Sequence, residues 1–174
     1  MAGLTGQRSE AVARLNDTAN IPGIGIVTIR DFEIADSLYL GVADVETGVP
    51  VHDGTLFQAA SISKPLCAVV VHLLADAKRF TIDADVNELL TSWSLPDAGF
   101  GEPVTVRHLL SHTGGLGDGL GYPGYPPGVP LPDALEIASG QGPVNHGPVF
   151  RDRERGTEFR YSGGGYQLLQ LAVE

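Results

Sequence analysis

Phe57-Gln58-Ala59-Ala60-Ser61-Ile62-Ser63-Lys64-Pro65-Leu66-Cys67-Ala68-Val69-Val70-Val71-His72-Leu73-Leu74-Ala75 is the stretch on which the reading of this chain turns. From Pro65 it is apolar on nearly every face, which predicts a buried helix. Pro65 is tolerable only in the first turn, where its missing N–H costs nothing. Ser61 and Lys64 stand three residues apart at the helix start, so a hydroxyl and an ammonium share one face. A serine is a weak nucleophile until an adjacent base takes its proton, and a lysine on the same face can serve. The first-turn N–H groups, that of Ser61 among them, can hold a developing oxyanion.

A simpler reading makes Ser61 an N-cap and Lys64 a surface residue. Lys64 and Lys78 are the only lysines, so a chance Ser-x-x-Lys is expected about 0.1 times in such a chain. A lysine opening an apolar helix is costly without a partner or a task. On these residues alone, catalysis and a capped surface helix both stand.

Upstream, Glu10 to Leu15 is a short amphipathic stretch that predicts an N-terminal helix, ended by the turn Asn20 to Gly23. Ile24 to Ile29 is β-branched and predicts a buried strand. Glu33 to Val42 follows the Arg30-Asp31 break as its antiparallel neighbour. Glu46-Thr47-Gly48 reads as a turn and Phe57 to Ala60 as a short extended piece. Downstream, short helices are expected over Asp85 to Leu90, Val106 to Leu110 and Pro132 to Ala138. Residues 114–148 are so dense in glycine and proline that they read as a long surface excursion, and its Tyr122 and Tyr125 are candidates to line a pocket. Gly165 to Glu174 starts a last apolar helix. Two strands alone are marginal, so the sheet is expected to be completed by strands beyond this sequence.

Composition narrows the function. The 174 residues are 43% hydrophobic and 18% charged, which excludes a disordered chain. A net charge of −10 repels phosphate backbones and anionic lipid, so neither nucleic acid nor membrane is an expected partner. The longest apolar run, Leu66 to Ala75, is too short to span a bilayer. With one cysteine, Cys67, no internal disulfide can form. With no leader-like N-terminus, this predicts a cytoplasmic protein.

Three segments in order, Phe57 to Pro65, Val106-Arg-His-Leu-Leu-Ser-His-Thr-Gly-Gly-Leu116 and Phe159-Arg-Tyr-Ser-Gly-Gly-Gly-Tyr166, resemble successive landmarks of the serine β-lactamase-like superfamily. That group includes class C β-lactamases, D-alanyl-D-alanine peptidases and related esterases. The resemblance implies an α/β fold, an α+β sandwich of the β-lactamase/transpeptidase type, here with an incomplete antiparallel sheet plus a helical region. It implies Ser61 as the acylated nucleophile, Lys64 as its proton partner, and Tyr161 as the tyrosine of the Tyr-x-Asn motif, working with the lysine as general base and then acid. Residues 1–174 would be the N-terminal part of a single domain. No cofactor or metal is implied.

Two departures qualify it. Gly163 stands where the motif has Asn, which bears on substrate binding. Nothing after Gly165 matches the family's third motif, a Lys-Thr-Gly or His-x-Gly-like strand that supplies a second oxyanion donor. The expected function is therefore ester or amide hydrolysis through an acyl-enzyme, leaning to esters, with β-lactamase or D-amino-acid peptidase activity as the alternative. The rival is a non-catalytic fragment, and in either case a second polypeptide or C-terminal half is the expected partner.

Other motifs lead elsewhere and fail. His108 and His112 have zinc-helix spacing but lack the glutamate of His-Glu-x-x-His, and the resemblance makes them structural. Gly119 to Gly124 spells Gly-x-Gly-x-x-Gly, yet no strand precedes it and Pro123 obstructs the helix. Cys67 reads as a small core residue, and Arg151 to Arg155 as a solvated loop.

Overall fold

The computed structural model describes residues 7–117 and 124–174. The chain divides into two compact units, Met1–Gln58 and Ala59–Glu174.

In the first unit, helix α1 (Gln7–Ala19) contains the amphipathic stretch Glu10 to Leu15 and ends, as expected, before the turn at Asn20, which takes a left-handed φ of 53°. Strands β1 (Gly23–Arg30) and β2 (Glu33–Gly41) pair antiparallel from Gly23–Gly41 to Arg30–Glu33. Asp31 and Phe32, at φ 50° and 65°, make the two-residue connection whose twist suits such a hairpin. Ala35 is extra, and the register shifts between Thr28 and Ile29. The glycine at Gly41 is required, because a Cβ there would lie 2.1 Å from the Pro22 carbonyl at a φ of +71°.

β1 is not the buried strand its β-branched run suggests. Ile24, Ile26 and Thr28 are half-buried, while Val27 and Ile29 on the other face are 45% and 72% exposed. A continuous β-branched run predicts cover on both faces, and within this unit neither face is fully covered. The turn at residues 45–47 forms as expected, with the Asp44 carboxylate accepting from the Glu46 and Thr47 amides.

The second unit is built around its helices. A one-turn 3-10 segment (Ala60–Ile62) leads into α2 (Ser63–Asp76), followed by α3 (Val86–Leu89), α4 (Val106–Leu110), α5 (Ala134–Ser139) and α6 (Gly163–Val173). Asp85, Asp133 and Ser162 cap α3, α5 and α6, their side chains accepting from Asn87, Glu136 and Gly165 amides. Two-residue strands β3 (Leu116–Gly117) and β4 (Phe150–Arg151) pair antiparallel across the base of the 114–148 excursion. As its composition predicts, little of that excursion's described part is regular; Tyr122 lies outside the described residues.

The core gathers Val71 of α2, Val86 of α3, Val106 and Leu109 of α4, Val149, and Leu168 and Leu169 of α6. Each such side chain contributes about 1.5–3 kcal/mol by leaving water. α6 contacts α2, α3, α4 and α5 and so organises the unit.

Two expectations are corrected here. α2 is not a buried helix: among its residues only Val71 is fully buried, while Leu66, Val69, Val70 and Leu73 are 69%, 55%, 47% and 63% exposed. Its apolar residues are numerous enough for cover all round, but this unit covers one face. Nor is Arg151 part of a solvated loop. It is 5% exposed, donates to the Glu102 carbonyl at 2.9 Å, and lies over the Phe100 ring.

Candidate active site

Ser61 sits in the 3-10 turn immediately before α2, rather than in the helix itself. The preceding residue, Ala60, is not extended as its sequence suggests but takes a left-handed φ of 45°. A non-glycine residue there costs of order 1–3 kcal/mol. The turn leaves Ser61 exposed.

Lys64 lies one turn on, half-buried, and its Nζ donates to Ser61 Oγ at 3.0 Å. The Tyr161 phenol donates to the same Oγ at 2.7 Å, across a sequence separation of 100 residues. The hydroxyl of Ser61 is therefore held between an amine and a phenol. Lys64 Nζ also lies 5.0 Å from the Tyr161 ring centroid and 5.7 Å from that of Tyr166, within the range at which a cation is attracted to an aromatic face.

Tyr161 is delivered by the residue before and the residue after it. The Arg160 amide donates to the His112 carbonyl at 2.8 Å, and the Ser162 amide donates to His112 Nδ1 at 3.1 Å. The His112 ring is tilted against the Tyr161 ring at 4.5 Å and against that of Tyr166 at 5.1 Å. Tyr166 in turn donates its phenol proton to the Leu110 carbonyl at 3.2 Å, and burial raises its pKa. The turn after α4 bends sharply at His112, φ 56°, and at Gly115, φ 68°, where a Cβ would lie 2.3 Å from the Arg153 carbonyl.

A cavity of about 490 Å³ runs between α2 and α6, lined by Lys64, Cys67, Gly163 and Tyr166 among others. Gly163, buried, is the first residue of α6, so the helix begins two residues earlier than the sequence suggests. Tyr125 is half-buried in the 114–148 excursion and is not among the residues lining this cavity. Burial pushes the Cys67 thiol pKa up, which favours the inert, protonated form.

The structure thus brings Ser61, Lys64 and Tyr161 together, sets Gly163 beside them, and leaves Tyr125 outside the cavity. Sequence reading missed the place of His112. The signal was present in the spacing His112-Thr-Gly-Gly, but nothing local says that its partner lies fifty residues on. Of the histidine pair, His108 Nδ1 lies 2.7 Å from Thr105 Oγ1 and His112 Nδ1 accepts from the Ser162 amide.

Several known proteins are similar to this chain. The chain is 40% identical over 97 residues to esterase EstB of Burkholderia gladioli, covering 54% of this chain and 25% of that protein. It is 35% identical over 156 residues to penicillin-binding protein 4* of Bacillus subtilis, covering 84% of this chain and 32% of the relative. Among solved structures, EstCE1, described as a hydrolase with promiscuous acyltransferase activity, superposes with a TM-score of 0.70 at 25% identity, covering 97% of this chain and 46% of that one. The matched stretch thus spans about a quarter to a third of the curated relatives and under half of the solved one. The family model described as Beta-lactamase matches residues 9–174, nearly all of the sequence and every element carrying the Ser61 cluster, and the chain belongs to that family.

Proposed function

We propose that this chain carries the nucleophilic part of a serine hydrolase that cleaves an ester through an acyl-enzyme on Ser61. The observation that carries the reading is the placement of Ser61 Oγ between Lys64 Nζ at 3.0 Å and the Tyr161 phenol at 2.7 Å. Ser61 Oγ attacks the carbonyl carbon, and its proton passes to the Lys64–Tyr161 pair as the new C–O bond forms. The Ser61 N–H, in the first turn, contributes to holding the oxyanion. Collapse of the tetrahedral intermediate breaks the bond to the leaving alkoxide, which takes the proton back through Tyr161. Water then attacks the acyl-enzyme by the reverse proton path and releases the acid.

Esters are favoured because Gly163 presents no amide side chain to the cavity, and because EstB and EstCE1 are named as an esterase and a hydrolase. Amide chemistry, a β-lactam or a D-amino-acid peptide, is the second reading, favoured by the likeness to a penicillin-binding protein. A segment or second polypeptide supplying further strands belongs to the proposal. It is supported by the exposed apolar face of α2 and by the greater length of the relatives. No helix among the described residues is long and apolar enough to cross a membrane, and a cytoplasmic location is part of the reading.

Assaying the chain, alone and with the remaining strands supplied, against p-nitrophenyl esters and a chromogenic cephalosporin tests this. Ester turnover that disappears in Ser61→Ala is the expected result. Cephalosporin turnover without ester turnover would move the assignment to the second reading. Turnover of neither would leave the non-catalytic fragment.

A further inference from the structure

We infer that His112 is a positioning residue for Tyr161, setting the phenol's distance to Ser61 through the hydrogen bond that Nδ1 accepts from the Ser162 amide. The inference rests on the hydrolase reading above and extends it to a residue that acts through Tyr161.

Three observations converge on this ring. First, His112 engages the chain on both sides of Tyr161: its carbonyl accepts from Arg160 N–H at 2.8 Å and its Nδ1 from Ser162 N–H at 3.1 Å. A residue whose two neighbours are both anchored has little backbone freedom left, so its side chain is aimed by the anchor. Second, the ring lies against the Tyr161 ring itself at 4.5 Å, with a 32° tilt, and against Tyr166 at 5.1 Å. Tyr166 is tied to α4 through the Leu110 carbonyl, so the stack connects Tyr161 to a fixed helix. Third, His112 adopts a left-handed φ of 56° in the turn after α4, a backbone conformation that fixes the direction in which its ring leaves the chain.

The chemistry specifies histidine rather than any aromatic residue. To accept from an amide, Nδ1 must carry no proton, so the ring proton of the neutral imidazole sits on Nε2. Phenylalanine would keep a ring in the stack but leave the Ser162 amide, in a residue 3% exposed, without this acceptor. Asparagine would place Oδ1 close to the position of Nδ1 and tolerates positive φ, yet supplies no ring.

The test measures the rate at which a fluorophosphonate phosphonylates Ser61, with loss of fluoride, in wild type, Ser61→Ala, Tyr161→Phe, His112→Phe and His112→Asn, each alone and with the remaining strands supplied. Folding is checked by circular dichroism and thermal unfolding. A misplacement of order 1 Å at a reacting group costs about 100-fold in rate, so His112→Phe is expected to label about 100-fold more slowly while remaining folded. His112→Asn is expected to recover most of that rate, although it loses the whole stack. A folded His112→Phe that labels at the wild-type rate would overturn the inference and leave the hydrolase reading intact. Should His112→Phe fail to fold, a folded His112→Asn decides: recovery supports the acceptor role, and a loss as deep as that of Tyr161→Phe overturns it. Wild type that does not label at Ser61 either alone or with the remaining strands supplied would remove this inference together with the reading beneath it.

Discussion

Ser61, Lys64 and Tyr161 differ in how much of their role local sequence carries. Ser61 and Lys64 share a helix face by spacing alone, and the 3.0 Å contact follows from it. Tyr161 is 44% exposed and sits in a glycine-rich turn, where the residues themselves favour a structural tyrosine; only the ordered motifs point to it. The left-handed φ at Ala60 and the acceptor role of His112 are not legible locally: the first departs from the extended piece the sequence suggests, and the second depends on a partner fifty residues away. Tyr161→Phe isolates the phenol, since it keeps the ring against His112 and removes only the oxygen 2.7 Å from Ser61. Loss of a general acid–base costs about 10²–10⁴-fold, so acylation of Ser61 is expected to slow by that order. Stability should change by less than about 0.5 kcal/mol, as for an exposed substitution. Rate measurements beside thermal unfolding check both, and an unchanged rate would show that Lys64 serves alone.

The elements were legible where capping and turn chemistry are local. The turn at Glu46 is legible in its own residues, and the short helices α3, α4 and α5 fall within a residue or two of their expected bounds. Where cover decides the matter, sequence misleads. α2 and β1 carry apolar residues on faces that their own units leave exposed, so hydrophobic content overstates their burial. Helix α4 makes a prediction of its own. His108 Nδ1 accepts from the Thr105 amide at 3.2 Å and shares a 2.7 Å contact with its hydroxyl, so it closes the helix start only when that nitrogen is unprotonated. Burial, then the charges of Arg155 and Arg107, hold the His108 pKa below its ordinary 6.5. A lowered histidine pKa means that the unfolded chain binds the proton more tightly. The contribution is complete above about pH 6.5 and is lost as pH falls through the lower folded-state value. Thermal unfolding followed from pH 8 to pH 5 should fall more steeply for wild type than for His108→Gln. Parallel curves would contradict the assignment.

At the scale of the molecule, the order of motifs carried more than composition did. A net charge of −10 and a modest charged fraction exclude classes of partner without naming a reaction. The three segments, by contrast, place one serine, one lysine and one tyrosine that the fold of the second unit brings onto one oxygen. The central claim is that this oxygen is a nucleophile, and intact-mass spectrometry after exposure to a fluorophosphonate tests it most directly. The chain is measured alone and with the remaining strands supplied, beside Ser61→Ala. The account predicts a single adduct that maps to Ser61 and is missing from Ser61→Ala. An unmodified wild-type mass under both conditions, or an adduct that survives Ser61→Ala, would contradict it.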